Sequence, residues 1–337
     1  MSPHFKAYSM EELSEINFKA LPKGELHIHL FGAITTSVAL DLIKMGNEDS
    51  SSYTPTVEDL RVPAGCCNLA QYLTPWKFLR LIPQGKEALQ IIVDDVFRQL
   101  HTENVKFVEL RNTIVNIAKL NFVSTKVAML WIIECITCSS TKYGIIAGLI
   151  LTIQRGPSAY SDFTQLAESY KALKCPKIIV GFDIAGDESI PTDNRIAHEL
   201  TILKEKYDLG ITIHAGETGN IKNVIEAVNI FKADRIGHGT AALQNDDILT
   251  LLHEKNICLE ICPISNELTG AINSSNIHEF EKLIEYKIPF VICSDNPGIQ
   301  NSTLSSDYAK LSSMLGVELI NEKMFKVQSE HTFIKEV

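Results

Sequence analysis

Eight short β-branched runs, each followed by a longer stretch, recur through this sequence and leave few folds open to it. The runs are Gly24–Leu30, Lys106–Asn112, Ile145–Ile153, Lys177–Ala185, Gly210–Ala215, Asp234–Gly239, Asn256–Cys262 and Ile288–Ser294. Helix-period patterns fall between them at Lys86–His101, Ser124–Cys135, Asp162–Ala172, Ile196–Tyr207, Ile221–Phe231, Asp246–Leu252 and Ile277–Tyr286. Strands alternating with helices imply a parallel sheet, and eight such units imply closure. The expected fold is therefore α/β, a (β/α)8 TIM barrel. A doubly wound sheet would need fewer strands and usually a glycine-rich phosphate loop, and neither is evident. Residues 33–105 exceed one helix, so extra helices inserted after the first strand are expected over the barrel mouth. Within them Gln71–Leu81 (QYLTPWKFLRL) reads first as helix core and second as a hydrophobic wall over a ligand. The chain has 337 residues, 45% of them hydrophobic, with no repeat or linker, and residues 1–337 read as a single domain.

Charge narrows the partners. The formal net charge is −10, with both signs mixed along the chain. No Lys/Arg run exists to neutralise phosphates, which argues against a nucleic-acid or anionic-membrane surface and for a small neutral or cationic ligand. Several of the eight cysteines sit in apolar runs such as ICLEIC, as a reduced thiol does. Cys135 and Cys138 form C-x-x-C within a helical pattern, without the second pair a structural zinc site needs, so a packing role is expected. The start of the chain (MSPHFKAYSMEELSE) is polar and acidic, unlike a secretory signal. The longest apolar run, Gly144–Ile153, is too short to span a bilayer. A cytoplasmic setting is the expectation.

Four polar clusters fall at the C-terminal ends of expected strands: LHIHL, IHAGE, RIGHGT and CSDNP. In a barrel those ends converge on one face, where active sites of this architecture lie. His27 and His29 are two apart, so both leave their strand on the same side. Imidazoles facing the barrel axis need a metal or hydrogen bonds. Adding His214 and Asp295 gives three nitrogens and a carboxylate, a set suited to Zn²⁺. Zinc lowers the pKa of bound water toward ~7, which supplies a nucleophile at neutral pH. Glu217 follows His214 in the turn beyond the fifth strand, near the metal without being an obvious ligand. His238 ends the sixth strand, placed to orient the attacking group. Gly216, Gly219, Gly237 and Gly239 permit close backbone approach around them.

In combination these motifs resemble the adenosine/AMP/adenine deaminase branch of the amidohydrolase superfamily. LPKGELHIHLFGAI resembles that family's opening metal-binding motif, and VGFDIAGDE, HAGET, RIGHGT, LEICPISN and SDNP resemble its later motifs, in the same order. The resemblance runs from about Leu21 to the end and includes VKFVELRNT. It implies a (β/α)8 barrel with one zinc per chain, held by His27, His29, His214 and Asp295. It also implies that Glu217 protonates N1 of a purine and that His238 orients the attacking hydroxide. Asp295 would share in deprotonation, and the Gly186 N–H would donate to N3. His29, Phe31, Gly186 and Asn296 form the implied substrate contacts, and a small purine is the implied partner.

Two positions depart from the best-known adenosine deaminases. Phe31 stands where the family has an Asp that helps hold the ribose 5′-hydroxyl, so this position tracks substrate. Asn296 replaces a second Asp whose task is to donate to N7, and an amide donates without any pKa shift. The expected activity is zinc-dependent deamination of adenosine or deoxyadenosine. Its alternatives are adenine, N6-methyl-AMP, methylthioadenosine or aminofutalosine, and behind them a catalytically silent binding protein. Binuclear amidohydrolases usually need a carboxylated lysine at the fourth strand. Here only Lys177 is near, at the start of that strand and away from the expected site.

Overall fold

The computed structural model describes residues 16–46, 54–273 and 277–337, so the polar start read above lies outside the described residues. Eight parallel strands follow one another around a nearly closed barrel, in the order β1 to β8. They are β1 Lys23–His29, β2 Val105–Asn112, β3 Ile146–Gln154, β4 Ile179–Ala185, β5 Gly210–Ala215, β6 Arg235–His238, β7 Cys258–Ile261 and β8 Phe290–Ile292. Every β-branched run of the sequence overlaps one of them. The seam between β8 and β1 is a bridge from Ile28 to Asp295. There Asp295 N donates to His27 O at 2.8 Å and His29 N to Asp295 O at 2.9 Å. The segment that closes the barrel thus carries three of the four expected metal ligands.

Helices cover the outside, with starts fixed by side-chain caps. Ser124 caps Thr125–Tyr143 by accepting from Val127 N, and Asn245 caps Asp246–Glu254 by accepting from Ile248 N. The first of these runs eight residues past the expected Cys135 and stops at Gly144 in the left-handed region, φ +65°. Cys135 is buried and Cys138 exposed on it, and every cysteine is free. Among the described residues no single helix is long and apolar enough to cross a membrane.

Residues between β1 and β2 add the expected extra helices: Thr36–Gly46, Leu69–Tyr72, Trp76–Leu79 and Lys86–Thr102. Gln71–Leu81 differs from its first reading. Instead of one core helix it forms two single turns split at Thr74–Pro75, where proline cannot continue a helix, and Tyr72, Leu73, Trp76 and Leu79 line a cavity. The hydrophobic wall is the form it takes.

The barrel axis is polar. Glu25, Glu109, Arg111, Asp183, Thr212, Arg235 and Glu260 are all buried on it. Glu109 and Arg235 pair, Arg235 Nε donates to Glu260 Oε1 at 2.7 Å, and Arg111 donates to Glu260 Oε2. The end nearest the strand starts is stopped by the last residues of the chain. Phe333 lies with Arg235 3.7 Å above its ring, and Thr332 Oγ1 donates to Glu109 Oε1 at 2.6 Å. Gly210 makes room for that plug, since a Cβ there would fall 2.2 Å from the Phe333 ring.

Candidate active site

At the other end of the axis, β1 delivers His27 and His29, β5 delivers His214, and the turn after β8 delivers Asp295. Their ligand atoms all lie within 4.8 Å of one another. His29 Nε2 and His214 Nε2 are 3.1 Å apart. Asp295 Oδ1 is 3.5 Å from His27 Nε2 and 3.4 Å from His29 Nε2.

Hydrogen bonds behind the ring fix what two of these histidines present. His27 Nδ1 meets Glu260 Oε2 at 2.8 Å, and His214 Nδ1 meets Asp183 Oδ1 at 2.9 Å. A carboxylate only accepts, so each Nδ1 carries a proton, and the neutral ring then offers its Nε2 lone pair. His27 Nε2 is buried without a hydrogen-bond partner. Leaving such an atom unmatched costs about 1–3 kcal/mol, and a cation removes that cost. Nitrogens bound to one tetrahedral zinc at about 2.0–2.1 Å sit roughly 3.3 Å apart, close to the His29–His214 spacing. Burial lowers the pKa of His29 to about 4 and that of His214 well below its ordinary value, which keeps both rings neutral as ligation requires. The residues fit a zinc ion.

Glu217 follows His214 through Gly216, whose φ is +80°. The turn is held by Glu188, which accepts from Gly216 N at 2.7 Å and Glu217 N at 2.8 Å. Burial, with the nearby Asp295 and Glu188 carboxylates, pushes the Glu217 carboxyl well above its usual range. His238 Nε2 is 3.8 Å from Glu217 Oε1, and Asn266 Nδ2 donates to His238 Nδ1 at 3.0 Å. Burial lowers the His238 pKa to about 4. His238 and Asp295 both have left-handed backbones, φ +65° and +61°, a conformation that costs on the order of 1–3 kcal/mol each.

One cavity of about 620 Å³ collects the expected residues: His29, Phe31, Gly186, His214, Glu217, His238, Asp295 and Asn296 line it. His27 is fully buried and does not. Gly186 follows β4 with φ +101°, and Phe31 sits half-buried on the short helix Leu30–Ala33. Lys177 is exposed just before β4 and does not line the cavity. Reasoning from sequence passed over Glu260, Asp183, Glu188, Ser265 and Tyr72, all of which touch the residues above. For Glu260 and Asp183 a signal was present: a lone acid in the middle of an apolar strand run, as in CLEIC and GFDIA.

Comparison with known proteins identifies the family. The adenosine deaminase family model matches residues 22–333. An adenosine deaminase of Clostridium botulinum is 32% identical over 318 residues, covering 93% of this chain and 94% of that protein. Among solved structures, the Arabidopsis N6-mAMP deaminase MAPDA superposes with a TM-score of 0.80 at 26% identity, covering 95% of each chain. The Arabidopsis protein ADAL complexed with IMP gives 0.81 at 26% identity, covering 95% of this chain and 94% of that one.

Proposed function

The chain belongs to the adenosine deaminase family of hydrolases acting on C–N bonds, and from that premise we propose that it deaminates a 6-aminopurine nucleoside, releasing ammonia. The observation that carries this reading is the buried convergence of His27, His29, His214 and Asp295 at a cavity that also holds a raised-pKa carboxyl, Glu217. A zinc ion, if held by those four residues, would supply a water of lowered pKa. The chain's own groups do the rest. Glu217, kept protonated by burial, donates to N1 of the purine and draws electron density from C6. The Gly186 N–H is offered to N3 and an Asn296 amide N–H to N7, fixing the ring in its plane. His238, with its proton on Nε2, orients the attacking water, and Asp295 accepts a proton from it. Water adds at C6, the proton taken up by Asp295 passes to the amino group, and the C6–N bond breaks to release ammonia while the C6 hydroxyl proton returns to Glu217 as the carbonyl forms.

A nucleotide is the second reading, favoured by Arg80 and Lys119, which line the same cavity. Lys119 is already shared with Asp162 at 3.0 Å, and Phe31, Leu69, Leu73 and Trp76 give the cavity an apolar lining. Those features favour a substrate without a 5′-phosphate. The test is a panel on zinc-loaded protein: adenosine, deoxyadenosine, methylthioadenosine, adenine and N6-methyl-AMP. Ammonia from the nucleosides supports the first reading. Methylamine from N6-methyl-AMP alone supports the second, and no release from any of them sinks both.

A further inference from the structure

Tyr72 belongs to the helices inserted after β1, not to the barrel, yet its hydroxyl sits among the residues of the site. It donates to Asp295 Oδ2 at 2.9 Å. Asn296 Nδ2 donates to it at 3.0 Å and Gln300 Nε2 at 2.7 Å. The side chain is 1% exposed. A phenol has one proton to give. Asp295 as a carboxylate can only accept, so that proton is committed to Oδ2 and the phenol oxygen faces its other neighbours as an acceptor. Both amides must then turn their nitrogens toward Tyr72, which fixes the orientation of Asn296. Its Nδ2 spends one N–H on Tyr72 and keeps the second. Its Oδ1 is buried against Gly32, where a Cβ would come within 1.8 Å of that oxygen.

The same proton acts on Asp295. Ser265 Oγ also donates to Oδ2, at 2.7 Å, so this oxygen carries two hydrogen bonds while Oδ1 faces His27 and His29. We propose that Tyr72 is a positioning residue that reserves Asp295 Oδ1 for the metal and holds Asn296 as a hydrogen-bond donor toward the substrate. The assignment to Asn296 rests on the deaminase reading above; the assignment to Asp295 does not. A consequence is that the metal site and the purine contact are complete only when the inserted segment lies over the cavity.

The test is Tyr72→Phe, which deletes one oxygen and keeps the ring. Two measurements separate its two roles from general damage to packing. The first is the visible absorption spectrum of the Co²⁺-substituted protein, which reads the metal's ligand field. The second is the ratio of kcat/KM for adenosine to that for 7-deazaadenosine, which lacks the N7 acceptor. The expected results are a changed cobalt spectrum and a purine preference reduced at least threefold, with KM rising more than kcat falls. An unchanged spectrum overturns the assignment to Asp295, and an unchanged ratio overturns the assignment to Asn296. If Tyr72→Phe does not fold, Gln300→Leu removes one donor to the same hydroxyl and is expected to lower the ratio by a smaller factor; an unmoved ratio there overturns the Asn296 assignment. Should the unsubstituted protein turn over neither nucleoside, the deaminase reading fails instead, and the cobalt spectrum still decides the role at Asp295.

Discussion

At the strand-start end of the barrel Glu109 pairs with Arg235, which also donates to Glu260 nearer the middle of the axis, and Thr332 and the backbone of Phe333 fill the remaining acceptor positions on Glu109. Some residues further along the same axis, His27 Nε2 has no partner, His29 and His214 point nitrogens at each other, and Glu217 sits buried beside two other carboxylates. Both regions bury charge that an apolar core would do without. They differ in whether the chain itself completes the balance. Where it does, the charges hold the barrel's last segment in place; where it does not, the imbalance is what a cation and a substrate are there to correct.

If that contrast is right, substitutions at the two ends should fail in different ways. Glu217→Gln keeps the shape and removes the acid. Turnover is expected to fall by about 10²–10⁴-fold while zinc content, measured by metal analysis, stays at the unsubstituted level. Parallel loss of zinc would show that Glu217 supports the metal instead. Glu109→Gln, at the balanced end, leaves Arg235 with one carboxylate fewer and should lower stability by about 3–5 kcal/mol. Denaturant unfolding reads that loss, and the residual folded protein should keep its kcat. A fall in kcat with unchanged stability would erase the distinction between the two ends.

Asp183→Asn tests the border between them. It weakens the bond that fixes the His214 ring, and zinc affinity measured by chelator competition is expected to drop about 10–100-fold. The smallest effect is on pH dependence. Burial raises the Glu217 pKa, so the proton is present below that pKa and is lost as pH rises through it. Activity should therefore decline on an alkaline limb, and that limb should be missing from the residual activity of Glu217→Gln. Its persistence there would assign the limb to another group.

Much of this was legible from residue order. Period-two placement of Glu25, His27 and His29 in one run, and of Glu109 and Arg111 in another, marks inward positions whether or not a partner is known. Strand ends were less legible: the run Ile288–Ser294 yields only Phe290–Ile292, and sheet contact resumes at Asp295 as a single bridge to Ile28. What sequence could not show was partnership. Glu260 lies 233 residues from His27, and Tyr72 lies 223 from Asp295, so nothing local ties either pair together. The split of Gln71–Leu81 was open to view in Pro75. Its apolar content, which suits a core helix and a cavity wall equally, pointed to the commoner of the two.

The left-handed backbone at Asp295 and His238 restricts which sequences can ever occupy these positions. β-Branched residues are excluded by their own Cβ substituents, whereas Asn, Asp, His and Gly tolerate that region best. The replacements easiest for the main chain to accept are thus close chemical neighbours of the residues already there. A line of descent that drops the reaction would be expected to pass through Asn at 295, losing a charge while keeping the turn. A protein of this fold with Asn there would keep its barrel seam, and its overall shape would give no sign that the chemistry had gone.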